Sequence, residues 1–174
     1  MMSSNYFELF ELPVIFRPDK KLLRRTYLKL SREFHPDFHA DNSEAYDKAL
    51  QKTSEINEAY KTLTDYFECI RYVLSLNGVS ITSEDKLPPD FLMDMMDWNE
   101  RFMEAQMGAE PAEIEKLASD FAALENSFED RLNQRIEAFE SKGDSASLNQ
   151  IKESYLQQKY LLRLKEQLNK FAAL

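Results

Sequence analysis

The sequence predicts an all-α fold in two parts, and three observations predict it. Glycine and proline are scarce, three and six in 174 residues, so the chain lacks the turn punctuation that many short strands need. Every extended apolar pattern repeats with helical spacing. The clearest break is Asn77-Gly78, followed by a polar stretch and Pro88-Pro89, which stops one helix and sets up another. We therefore expect an N-terminal domain over 1–77, a linker over 78–89, and a C-terminal domain over 90–174.

In the first domain, Tyr6 to Leu12 is a short apolar segment stopped by Pro13. Asp19 then suits the N-cap of a helix running to about Phe34. Leu23, Tyr27, Leu30 and Phe34 form its apolar stripe, while Lys21, Arg25, Lys29 and Arg32 fall on nearly the opposite side. After a turn over His35 to Asp41, Asn42 or Ser43 can cap a second long helix. Its stripe is Tyr46, Ala49, Thr53, Ile56, Tyr60 and Leu63, so the two helices are predicted to pack as an antiparallel hairpin. Phe67 to Leu76 make a shorter helix. Beyond the break, helices are expected over Asp90 to Met107, Ala112 to Glu140 and Asp144 to Phe171, forming a three-helix bundle. The middle one carries a seam of Ile114, Leu117, Phe121, Leu124, Phe128, Leu132, Ile136 and Phe139.

Charge excludes several functions. With 22 Lys and Arg against 31 Asp and Glu, the net charge is -9, which opposes binding of the whole chain to nucleic acid or an anionic membrane. One cysteine, Cys69, and two histidines cannot build a disulfide framework or a four-ligand zinc site. Cys69 reads as a small apolar filler. No run is long and apolar enough to span a bilayer and no signal-peptide pattern opens the chain, so a reducing cytosol is expected.

The most specific local feature is His35-Pro36-Asp37, placed between the two long helices of the first domain. Pro36 fixes its own φ and pushes His35 out of helical geometry, so the turn is stiff and can project Asp37 toward an arginine of another protein. The same tripeptide also serves as an ordinary turn with a stop and a local cap. A third reading takes His35-x-Asp37-x-His39 as a divalent-metal site for hydrolysis; it has two imidazoles and a carboxylate but no third histidine. Beside the turn, residues 17–32 hold seven basic residues and one acid, Asp19. This stripe, with Arg24 at its flank, is either a solvated helix face or a docking surface for an acidic protein partner.

Taken in order, Asn5-Tyr6-Phe7-Glu8-Leu9-Phe10, Leu12-Pro13, Phe34-His35-Pro36-Asp37, Ile56-Asn57-Glu58-Ala59-Tyr60-Lys61-Thr62-Leu63, Tyr72-Val73-Leu74-Ser75-Leu76-Asn77-Gly78 and Phe91-Leu92-Met93 resemble the HscB family. These are J-domain co-chaperones of iron-sulfur cluster assembly. The resemblance spans nearly the whole chain. It implies an N-terminal J-domain and a C-terminal scaffold-binding domain, with no catalytic centre and no cofactor. It implies that His35, Pro36 and Asp37 stimulate the ATPase of a DnaK-type chaperone, HscA, on which Lys21, Arg24, Arg25, Lys29 and Arg32 dock. Relatives often have glycine where this chain has Glu11, and many have proline and arginine at Tyr66 and Cys69. Human-type relatives carry a cysteine-rich N-terminal extension, and its absence here favours a bacterial cytoplasmic protein.

The first helix of the second domain has two apolar stripes. Phe91, Met95, Trp98 and Phe102 form one, and Leu92, Met93, Met96, Met103 and Met107 form another on nearly the opposite side. A helix in a three-helix unit buries one face only. The second stripe is therefore either an interdomain contact or an adaptable surface for a folded partner. Acidic residues surround it, from Glu84 to Glu115, against only Lys86 and Arg101, which suits a partner edged with Lys or Arg. By resemblance the partner is the iron-sulfur scaffold IscU, bound at Leu92, Met93 and Met96, with Tyr160 of the last helix as a contacting aromatic. Leu161, Leu164, Leu168 and Phe171 form that helix's own core stripe.

Overall fold

The structure is a computed structural model that describes residues 5–39, 42–143 and 145–172. Among them are seven α-helices, one 3-10 turn and no strand. They divide into two compact units, Met1–Ser80 and Ile81–Leu174.

The first unit opens with α1 (Tyr6–Leu9), started by Asn5, whose side chain accepts from the Glu8 N–H. It is shorter than the predicted segment because Glu11 adopts φ +56°. Glu11 N–H then reaches Glu8 O at 3.1 Å and Leu12 N–H reaches Phe7 O at 2.9 Å, the Schellman arrangement that glycine normally supports. The same closure ends α4 (Tyr66–Leu76), where Gly78 supplies the positive φ of 79°. Helices α2 (Lys20–Glu33) and α3 (Ser43–Thr64) form the predicted pair, capped by Asp19 and Asn42. Tyr27 stacks on Tyr60 at 4.2 Å and its hydroxyl donates to Asn57 Oδ1 at 2.9 Å. Phe7, Phe10, Phe16, Leu23, Ile56, Ile70 and Leu74 are fully buried between these elements. Tyr6 and Phe7 stack on Tyr72, whose hydroxyl accepts from the Tyr6 N–H at 2.9 Å, which fastens α1 to α4.

One predicted core position is corrected. Tyr46 is 39% exposed, and Leu50, one turn further along α3, is 51% exposed. The cause is helix length: α2 stops at Glu33 and Phe34 O already receives Thr53 Oγ1 at 2.8 Å. Tyr46 lies about two turns beyond that level, past the end of the helix expected to cover it. Cys69 is 1% exposed and burial, first, with Asp65 beside it, pushes its thiol up to about 12. It is an inert filler.

The second unit is α5 (Pro89–Gln106), α6 (Pro111–Lys142) and α7 (Ser145–Ala172). Pro89 and Pro111 stand at helix starts, where the missing N–H is no loss. Gly143 ends α6 with φ +68°. Helices α6 and α7 pair along their length, and α5 packs on both. Phe91, Met95 and Phe102 meet Leu117, Phe121, Phe128, Leu161 and Leu164 in one core. Past the reach of α5, Leu132, Ile136, Leu148, Ile151 and Tyr155 are buried in the hairpin. Asp144 and the side chains of Leu168 and Phe171 lie outside the described residues.

The approach to α5 is tied down. Asp85 Oδ2 accepts from Thr82 N–H at 2.7 Å, and its carboxylate pairs with Lys152 of α7 at 2.5 Å. That lysine, followed by the Thr82 N–H, holds the Asp85 carboxyl below its ordinary range.

Candidate functional site

The His-Pro-Asp segment forms the 3-10 turn Pro36–His39 between α2 and α3. Thr53 holds its root through Phe34 O, Phe38 N–H donates to His35 O at 3.1 Å, and Asp37 N–H donates to His35 Nδ1 at 3.2 Å. The Asp37 side chain is 84% exposed, and its carboxylate lies 3.6 Å from His35 Nδ1. Among the described residues no lysine or arginine reaches that carboxylate. The turn thus presents an exposed carboxylate on a fixed backbone, with the geometry to accept a bidentate arginine from another molecule. Phe38, which sequence reasoning did not single out, is 74% exposed and packs edge-on to His35 at 5.9 Å. The signal was an aromatic in a polar turn. The side chain of His39, needed for the metal reading, lies outside the described residues.

Lys21, Arg24, Arg25, Lys29 and Arg32 are all exposed on α2. Among the described residues none of the five is paired with a carboxylate. Lys20 and Lys21 occupy the first turn with no acid there, where the helix dipole disfavours cations. Lys21 is therefore held against the helix dipole, with the Asp19 cap as its nearest compensation, whereas Arg32 in the last turn is favoured by it. Leu28, within this face, is 49% exposed.

In the second unit, Leu92, Met93 and Met96 are 40%, 66% and 63% exposed, against 1% for Met95 on the inner face. One helix thus separates four neighbouring apolar side chains into core and surface. Tyr160 is half-buried: its ring stands edge-on to Phe91 at 5.6 Å, and with Asn99, Arg163 and Leu164 it lines a shallow cleft. Asn99 is seven residues from Leu92 and shares its face, so Tyr160 borders the Leu92 edge of the exposed strip. The acids Asp97 and Glu104 are exposed along the other edge, and Glu100 is exposed on the strip itself, one turn on from Met96. Arg101, the basic residue among them, is drawn aside: its guanidinium lies 4.2 Å over the Trp98 ring and pairs with Asp120 of α6 at 3.2 Å.

A stiff His-Pro-Asp turn between a basic helix and its antiparallel partner defines a J-domain, and a J-domain joined to a helical second unit defines a co-chaperone. Comparison with known proteins agrees. Residues 5–72 match the DnaJ domain, and residues 87–169 match the family described as the HSCB C-terminal oligomerisation domain. A co-chaperone protein HscB homolog of Psychromonas ingrahamii is 35% identical over 173 residues, covering 94% of each chain. One from Shewanella baltica is 29% identical over 95% of each. Chaperone HscB from Vibrio cholerae superposes with a TM-score of 0.66 at 29% identity, over 94% of this chain and 99% of that one. Human co-chaperone protein HscB gives 0.77 at 26% identity, over 97% and 82%. The chain belongs to the HscB co-chaperone family. As a J-domain co-chaperone it works with a DnaK-type chaperone. Among the described residues no helix is long and apolar enough to cross a membrane.

Proposed function

We propose that this co-chaperone binds an iron-sulfur scaffold of the IscU type, delivers it to an HscA-type chaperone in the bacterial cytoplasm, and stimulates that chaperone's ATPase. The observation that carries this reading is the combination of an exposed Asp37 carboxylate, with only His35 beside it, and a basic face on α2 that pairs with no carboxylate among the described residues. His35, Pro36 and Asp37 supply the trigger, and Lys21, Arg24, Arg25, Lys29 and Arg32 supply the docking charge. Leu92, Met93 and Met96, with Tyr160 at their border, supply the scaffold contact. We assign residues 1–77 to the J-domain, 78–89 to the linker and 90–174 to scaffold binding, with no catalytic centre or cofactor of its own.

Physically, the chain acts through effective concentration. Holding client and ATPase on one polypeptide makes the second encounter intramolecular, which raises avidity without new contacts. Reconstitution tests this: the DnaK-type chaperone's ATP turnover is measured alone, with this chain, and with chain plus cluster-free scaffold. The expected result is a rise with the chain and a further rise with both. Equal turnover in all three mixtures overturns the reading.

A further inference from the structure

Two exposed methionines remain without a role. Met103 is 63% exposed and Met107, at the end of α5, is 88% exposed, although the inner face of the same helix is already filled by Phe91, Met95 and Phe102. At about 100° per residue, both lie on the arc that carries Met93 and Met96. We infer that the client-docking strip does not end at Met96 but runs on through Met103 to Met107, so that the partner meets α5 along its whole length. This inference rests on the proposed client reading.

From Leu92 to Met107 the strip is about 22 Å long, at about 1.5 Å per residue. Flexible thioethers along it let one surface adapt to a folded partner. Charge selects the occupant. Asp97 and Glu104 edge the strip, Glu100 stands within it between Met96 and Met103, and Arg101 is withdrawn onto Trp98 and Asp120. A second copy of this chain would bring one acidic edge against another, whereas an apolar ridge flanked by Lys or Arg is attracted. The fitting partner is therefore a folded protein with a basic-edged apolar ridge, which we take to be the client, and not a second copy of this acidic-edged chain.

The test is titration of the full chain with a cluster-free IscU-type scaffold, alongside thermal melting and sedimentation. The variant Met103→Ser with Met107→Ser should bind about tenfold more weakly and melt as the wild type does. Leu92→Ala with Met93→Ala and Met96→Ala is the reference and should lose binding further. If the serine variant binds normally while the reference fails, the strip ends at Met96 and the extension is wrong, with the client reading intact. If both bind normally, the client reading falls and takes the extension with it. A lowered melting temperature for the serine variant, or a dimer that this variant dissolves, also overturns the proposal.

Discussion

The two proposed docking surfaces are built in opposite ways. The J-domain surface is polar: a carboxylate on a hydrogen-bonded turn and five exposed cations on α2. The α5 surface is apolar, with methionines on one helix face and acids along the edge. Charge steers encounter and is screened by salt, whereas buried apolar area slows dissociation and is not. The first surface therefore suits a brief trigger on an enzyme that must turn over. The second suits a client held until it is handed on.

The strongest way to break this comparison is at Asp37. Asp37→Asn keeps the shape and removes the anion, so stimulation of the chaperone ATPase should be abolished while the helical circular dichroism stays unchanged. Near wild-type stimulation by this variant would mean that the turn acts by geometry and that the charge-based half of the contrast is wrong.

Next in size is the apolar half. Leu92→Ala with Met93→Ala and Met96→Ala should cost several kcal/mol of scaffold binding and little stability, because exposed side chains leave no cavity. Phe121→Ala, in the core facing α5, should do the reverse, costing about 3 to 5 kcal/mol of stability. Calorimetric titration and melting of both variants sort surface from core. A large drop in melting temperature for the triple variant would erase the distinction between the two faces of α5.

Reversing the basic face sharpens the contrast by salt. Arg25→Glu with Lys29→Glu should reduce ATPase stimulation and leave scaffold binding unchanged. Wild-type stimulation should fall with added salt, since exposed charges are screened over about 10 Å at 0.1 M. Scaffold binding should vary less. Salt-independent stimulation would point to Leu28 and Phe38, the exposed apolar residues on the basic face and in the turn.

What could be read in the sequence was whatever repeats locally. The all-α class and the inner and outer faces of α5 followed from helical spacing, because side chains three and four apart share a face whatever else the chain does. The His-Pro-Asp turn was legible from proline alone. Tyr46 was misplaced because its burial depends on where a different helix stops. Arg101 was legible as a charge, but not as one withdrawn from the rim, since that required Asp120 of α6 beside it. Glu11 could not announce a positive φ, because glutamate ordinarily avoids one. The resemblance supplied the hint, with glycine common at that position.

Glu11 therefore offers a smaller and purely structural test within the J-domain unit. Glu11→Gly removes the left-handed penalty of a Cβ at φ +56°, against a loss from the more flexible unfolded chain. A net gain of about 0.5 to 1 kcal/mol is expected in denaturant unfolding, the left-handed penalty of about 1 to 2 kcal/mol less the entropy cost, with ATPase stimulation unchanged. Reduced stability would mean that the Glu11 side chain contributes more than its backbone costs.

The smallest expected effect concerns the lead-in to α5, and its pH dependence has a definite sign. Lys152 lowers the pKa of Asp85 from its usual value near 3.8. A carboxyl with a depressed folded-state pKa adds stability above its unfolded pKa and loses it as pH falls through the folded value. Lys152→Met should therefore cost about 0.5 kcal/mol near neutral pH, the scale of a single ion pair still in reach of solvent, each side chain being 20% exposed. The difference from the wild type should vanish as pH falls below the ordinary carboxylate range. Because the pair fastens the segment just before α5 to α7, the same variant should weaken scaffold binding slightly and leave the J-domain's ATPase stimulation alone. A stability difference that persists in acid would assign the effect to packing of the lysine stem. The charge contrast between the two surfaces would then stop short of the segment that positions the second.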